Sequence, residues 1–160
     1  MSGSPEPGRR ARPAASSDQA RSRMERQGRR DTRPELELRR AVWRLGLRYR
    51  VDAPPVRGRH RADLVFRRFC LAVYVDGCFW HRCPLHGTLP RANREWWAAK
   101  LDANVSRDRQ TDQALADAGW SVVRVWEHED PLAGADRVSA ALSQGPARLE
   151  LPPRRSRPRI

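Results

Sequence analysis

Two runs rich in β-branched and aromatic residues, 62–66 (Ala-Asp-Leu-Val-Phe) and 69–76 (Phe-Cys-Leu-Ala-Val-Tyr-Val-Asp), are separated only by Arg67 and Arg68. Strands this close in sequence pair as an antiparallel hairpin. The next apolar run of strand character, 120–126, lies beyond a long helical pattern, so it must return through a crossover and lie parallel to its partner. The helix begins near Asn93, shows Trp97, Leu101, Val105, Asp108, Asp112 and Leu115 on one stripe, and stops at Gly119. Upstream, Thr32-Arg33-Pro34-Glu35 has the form of a capping box. Leu38, Val42 and Leu45 then recur at helical spacing as far as Gly46, and an Arg-rich loop follows. A short helix over 136–142 completes the order helix, two strands, helix, strand, helix, which predicts a single mixed α/β domain. In a right-handed parallel crossover the C-terminal ends of strands 69–76 and 120–126 are neighbours.

The ends of the chain have a different character. Residues 1–30 mix Pro, Ser, Ala and Arg with scarcely a large apolar side chain, and residues 143–160 hold four prolines and five arginines. Such segments do not bury enough surface to repay the entropy of ordering. Among 160 residues, 32 Lys and Arg face 19 Asp and Glu, and Lys100 is the only lysine. A coding preference for arginine explains the missing lysines but not the net charge of +13. Arginine's planar fork grips phosphate oxygens in pairs, so the expected partner is a nucleic acid. The longest apolar run, 69–75, is far below the roughly 20 residues of a membrane span. With no secretory apolar segment and three cysteines that cannot all pair, the expected compartment is a reducing cytoplasm, at the nucleoid.

Cys78 and Cys83 with His86 follow the first of the two neighbouring strand ends, and His128 follows the second. Thiolate and imidazole are the donors zinc prefers, and four close a tetrahedral site. The spacing matches no common zinc finger, and two loop cysteines with unrelated histidines are the alternative. The crossover favours zinc, because it carries His128 to where a fourth ligand is lacking. Cys70 reads as a small core side chain within its strand.

Asp63 is an acid in an otherwise apolar strand, where an unpaired carboxylate is costly, and Asp76 closes the adjacent strand. His81 follows at once, and Asp108 interrupts the apolar stripe of the long helix. A histidine held in one tautomer by a carboxylate is a good general base. The structural alternative for Asp108 is an N–H or arginine partner within the helix layer. Many nucleases with a hairpin carboxylate cluster place a lysine two residues past the second acid. Here that position is Cys78, so histidine must take over its work. A nucleophilic serine or cysteine enzyme is not expected, since there is no Gly-x-Ser-x-Gly elbow and the histidines are better placed elsewhere.

Taken together, Asp76-Gly77-Cys78-Phe79-Trp80-His81, Arg30-Asp31-Thr32-Arg33-Pro34-Glu35, Asn93-Arg94-Glu95-Trp96-Trp97, Asn104-Val105-Ser106-Arg107-Asp108 and Gly119-Trp120 with Val125-Trp126-Glu127 resemble the very short patch repair (Vsr) endonucleases. The resemblance implies a fold related to restriction endonucleases, a structural Zn²⁺ site, and a Mg²⁺-dependent nick 5′ of the thymine in a T:G mismatch left by 5-methylcytosine deamination. It implies that Asp63 and the backbone carbonyl of Val75 bind magnesium. His81 would activate the attacking water, Asp108 would orient His81, and Glu35 would be a further active-site acid. Phe79, Trp80 and Trp97 match aromatics that wedge into the duplex beside the mismatch, and Met24 matches an apolar side chain inserted from the other groove. Wedging unstacks a base step at about a few kcal/mol, less at a pair already mismatched. Trp97 also opens the apolar stripe and reads equally as core.

Three departures stand out. Cys83 and His86 are spaced differently from the familiar pattern, and His128 replaces a cysteine, so the zinc set is two Cys and two His. Asp76 stands where a histidine is common. Counted with Asp63 and Val75 as a magnesium-binding candidate, it would either add negative charge to the metal site or alter the contact with the scissile phosphate. The expected organisation is a disordered basic arm (1–20), the endonuclease domain (21–142) and a disordered Pro/Arg-rich tail (143–160). The ends would add salt-sensitive phosphate contacts. A nick needs one active site, so a monomer is expected on mismatched double-stranded DNA, with mismatch-repair and repair-polymerase proteins as candidate partners. The competing readings are a restriction-type or structure-specific nuclease without mismatch preference, and a non-catalytic zinc-stabilised DNA-binding module.

Overall fold

The computed structural model describes residues 31–58 and 60–144. The elements are α1 (Arg33–Arg44), β1 (Arg50–Ala53), β2 (Ala62–Phe66), a 3₁₀ turn (Arg67–Phe69), β3 (Leu71–Asp76), α2 (Arg94–Asp117), β4 (Ser121–Trp126) and α3 (Pro131–Gln144). They form one mixed sheet in the order β1-β2-β3-β4. The hairpin pairs Leu64 with Val73 and Phe66 with Leu71 in antiparallel register. The crossover through α2 makes β3 and β4 parallel, from Leu71 opposite Ser121 to Asp76 opposite Trp126.

Successive strand residues point to opposite faces, and this sorts the sheet into two layers. Leu64, Phe66, Leu71, Val73 and Val125 pack against Leu38 and Val42 of α1 and Val138 of α3, forming the larger core. On the other face Val65, Ala72 and Val122 meet Leu115 near the end of α2. Gly134 lets α3 settle closely: a Cβ there would stand 2.9 Å from Val125 Cγ1 and 3.1 Å from Leu38 Cδ1.

Several expectations need correction. Part of the segment expected to be loop forms strand β1. It is a short edge strand, its residues exposed or half-buried with no apolar run to announce it, and it is held by pairing with β2. β3 begins at Leu71, because Arg67–Phe69 take a 3₁₀ turn and Cys70 follows in the left-handed region at φ 46°. Cys70 is buried as expected, but in the turn and not within the strand. Helix α3 starts at Pro131, five residues before 136, since proline suits the first helical turn. The capping box is rearranged. Thr32 Oγ1 donates to Glu35 Oε1 (3.0 Å), and Glu35 Oε2 accepts from the Asp31 N–H (2.9 Å) and from Arg39 Nη2 (3.1 Å). Asn93 precedes α2 in the left-handed region without a side-chain cap.

Replacing Gly134 with Val should overpack the α1–β4–α3 junction and lower stability by roughly 1–3 kcal/mol. The urea midpoint of the full chain measures this, and an unchanged midpoint would show that α3 does not rest on β4 and α1 as closely as described.

Candidate active site and metal centre

The same alternation that buries Leu64 and Phe66 turns Asp63 to the α2 side of the sheet, together with Tyr74, Asp76 and Arg124. There the middle of α2 stands off the sheet and leaves a cleft of about 370 Å³, lined by Asp63, Tyr74, Val75, Asp76, Trp80, His81, Asn104, Arg107, Asp108, Thr111, Arg124 and His60. This explains the mixed stripe of α2. Its ends, Trp97, Leu101 and Leu115, are buried, while Asp108 and Asp112 between them are half-buried.

Asp63 Oδ2 accepts the Val75 N–H at 2.7 Å. Burial pushes its carboxyl up to about 6, the Val75 hydrogen bond opposing and Glu35 and Asp76 adding to the rise. Among the described residues no cation pairs directly with it, whereas Asp76, Asp108 and Asp112 each have one. A carboxylate in a cleft, without a counter-charge and beside a strand backbone, is the donor set a hard dication takes up.

His81 sits on the turn after β3. Its N–H donates to Gly77 O (3.1 Å), and Asn104 Nδ2 of α2 donates to Trp80 O (3.1 Å). Arg82 is paired with Asp102 of the same helix. Thus anchored, His81 Nδ1 lies 2.5 Å from Asp108 Oδ2 and 3.8 Å from Asp76 Oδ1. Burial opposes the imidazolium, but the hydrogen bond to Asp108 and the fields of Asp76 and Asp108 outweigh it and raise the ring's pKa above its ordinary value. Asp76 has its two oxygens 2.8 and 3.1 Å from Arg124 Nη1. Burial still raises its carboxyl, in spite of Arg124 and His81.

Glu35 is buried at the start of α1, its carboxylate occupied by Asp31, Thr32 and Arg39, and is close enough to raise Asp63. It does not line the cleft. Val75 does. Phe79, Trp80 and Trp97 form one aromatic cluster: Trp97 is 8% exposed, and the half-buried Phe79 and Trp80 rings lie 5.4 and 6.1 Å from it. Met24 lies outside the described residues.

The parallel register of β3 and β4 brings the second cluster together as the crossover predicted. The donor atoms of Cys78, Cys83, His86 and His128 lie within 4.8 Å of one another. Cys78 Sγ is 3.1 Å and Cys83 Sγ 3.7 Å from His128 Nδ1, and Cys83 Sγ is 3.9 Å from His86 Nδ1. Zinc bonds of about 2.3 Å to sulfur and 2.0–2.1 Å to nitrogen put tetrahedral ligands about 3.5 Å apart, so the set fits that ion. Burial, Cys83 and Glu127 push the Cys78 thiol up to about 11, a cost that a bound dication reverses. Gly87 closes the turn where a Cβ would stand 2.5 Å from Cys83 O.

Sequence reasoning missed Arg124. Its signal was the one used for Asp63, a charge among Val122, Val123 and Val125 in an otherwise apolar strand. Asn104 and Arg107 belong to the motif 104–108 that carries the family resemblance, but no role was read for either, and Thr111 and His60 carry no pattern that separates them from ordinary surface residues.

A family model described as DNA mismatch endonuclease Vsr matches residues 15–85. The type II nicking enzyme V.NaeI of Lentzea aerocolonigenes is 49% identical over 102 residues, 62% of this chain and 61% of that protein. V.HpaIIP of Haemophilus parainfluenzae, also a type II nicking enzyme, is 32% identical over 115 residues, 71% of this chain and 79% of its own length. The DNA mismatch endonuclease Vsr of Escherichia coli K12 is 36% identical over 100 residues, 61% of this chain and 62% of that protein. The chain thus spans about three fifths of the length of V.NaeI. With the family model and relatives such as V.HpaIIP in agreement, the chain belongs to the Vsr family.

Proposed function

We propose that this chain is a magnesium-dependent DNA endonuclease that nicks one strand 5′ of the thymine in a T:G mismatch and so begins very short patch repair. The observation that carries the reading is the His81–Asp108 pair at 2.5 Å, sharing one cleft with the unpaired carboxylate of Asp63. Asp108 accepts a hydrogen bond from Nδ1–H and leaves Nε2 as the ring nitrogen that takes a proton from water. The water oxygen then bonds to phosphorus as one phosphodiester P–O bond breaks. Asp63 and the Val75 carbonyl hold Mg²⁺ in this account, and Asp76, held by Arg124, adds negative charge nearby. Bound magnesium would supply neutralisation of the phosphate and acidification of the water.

Phe79 and Trp80, backed by Trp97, are the wedge beside the mismatch in this reading, and Met24 its counterpart from the other groove. Glu35 acts at longer range, through its charge on Asp63. Cys78, Cys83, His86 and His128 hold a structural zinc ion that fixes the turn bearing His81. The domain covers 21–142 within a restriction-endonuclease-like fold, acts as a monomer in the cytoplasm, and uses its Arg-rich ends for phosphate contacts. No described helix is long and apolar enough to cross a membrane.

With a duplex carrying a single T:G pair and Mg²⁺, Asp63→Ala and His81→Ala should each slow nicking, His81→Ala by roughly 10²–10⁴-fold, the range for loss of a general base. Parental rates in both variants would remove this active site, and equal cleavage of the matched duplex would remove the mismatch preference. Metal analysis should find one zinc per chain, lost together with the fold in Cys83→Ser. Undenatured parent protein without zinc would contradict the assignment.

Asp63 also makes a prediction about stability. Its raised carboxyl pKa means that the folded state holds the proton more tightly than the unfolded chain. That contribution is complete below about pH 4 and is lost as the pH rises through about 6. In magnesium-free buffer without chelator, Asp63→Asn should therefore be more stable than the parent at pH 7.5, by up to about 3 kcal/mol, with the gain vanishing near pH 4. Denaturant unfolding at the two pH values tests it, and an asparagine variant less stable at pH 7.5 would contradict it.

A further inference from the structure

The mechanism above uses Arg124 only as a holder of Asp76, yet its guanidinium reaches further. From β4 it meets two oxygens of Asp76 on β3 at 2.8 and 3.1 Å, and two of Asp112 on α2 at 2.9–3.2 Å. Nη2 also stands 3.5 Å from the Asp108 backbone oxygen and 3.7 Å from Asp108 Oδ1. The face of the Tyr74 ring lies 4.8 Å from the guanidinium carbon. Beside this hub, His81 Nδ1 has two carboxylates to choose from, Asp108 at 2.5 Å and Asp76 at 3.8 Å. A single N–H is committed to one strong acceptor. Asp76 is the more buried of the two, its side chain 6% exposed against 25% for Asp108. A buried carboxylate without a partner is a strong competitor for a nearby donor.

We propose that Arg124 is the positioning residue that decides His81's partner. By occupying both oxygens of Asp76 it leaves Asp108 as the acceptor for Nδ1, and this sets the direction in which Nε2 faces. The consequence for rate rests on the nicking reading; the choice of partner does not. It also separates this role from simple neutralisation of three clustered acids, for which relief of any one carboxylate would serve.

The test uses the full chain and two readouts: the ring ¹H–¹⁵N resonances of His81, and single-turnover nicking of the T:G duplex with Mg²⁺. In Arg124→Met, Asp76 is released, so the Nδ1–H resonance should move away from its parental position. The nicking rate should fall 10- to 100-fold, with the duplex Kd changing less than threefold. Adding Asp76→Asn removes the competing charge and should return the resonance towards the parent. Adding Asp112→Asn instead should leave the resonance displaced. Arg124→Lys keeps the charge but not the fork, and should show an intermediate shift even where the methionine variant fails to fold. A parental His81 resonance in either Arg124 variant, or recovery by Asp112→Asn as full as by Asp76→Asn, would overturn the proposal. A parent that nicks nothing would defeat the nuclease reading alone, since the resonances still decide the partner.

Discussion

The parallel pairing of β3 with β4 is the constraint on which the rest depends. With Asp76 opposite Trp126, the two strands end at the same level of the sheet, and whatever follows them in sequence meets in space. Cys78 and His128 are 50 positions apart in the chain and 3.1 Å apart in the fold for this reason alone. His81 lies between Cys78 and Cys83 of that cluster, so it has little freedom. Glu127 Oε1 accepts the Cys78 N–H at 2.6 Å, and the Glu127 N–H donates to Asp76 O at 2.9 Å, tying both strand ends to one another beyond the ladder.

The same register concentrates charge. Asp63, Asp76, Asp108 and Asp112 face one space between sheet and helix, and like charges there oppose folding unless something offsets them. Arg124 offsets Asp76 and Asp112 and touches the edge of Asp108, while His81 takes the other oxygen of Asp108. Asp63 is left without a direct cation among the described residues and carries a raised carboxyl pKa. A fold that needed only stability would place an apolar residue at 63, as it does at Leu64, Val65 and Phe66. An acid placed there without a counter-charge is therefore informative about use.

Much of this was legible in the residues. The hairpin, the crossover and the long helix follow from apolar periodicity and from Gly119, because buried faces impose periods of two and 3.6 wherever they exist. The cysteine–histidine cluster was legible because topology, and not spacing, joins its halves. The acid at 63 and the acid at 108 announced themselves as charges at positions where periodicity demands an apolar side chain. β1 was not legible: an edge strand packs little, so pairing with β2 holds it and no apolar pattern marks it. Arg124 was overlooked although it breaks its strand as Asp63 does, and its meaning depends on Asp76 and Asp112, which only the fold brings to it. The relay from Arg39 through Glu35 to Asp31 rests on chain direction ahead of α1, which propensity does not encode.

The central claim is that one cleft holds both the metal-binding acid and the base. The most direct measurement is a crystal structure of the full chain on a duplex with a single T:G pair, with Ca²⁺ in place of Mg²⁺ to stall the reaction. The account predicts the cation on Asp63 and the Val75 carbonyl, and the phosphate 5′ of the mismatched thymine between that cation and His81 Nε2. A cation bound elsewhere, or a scissile phosphate outside the cleft between β3 and α2, would contradict it.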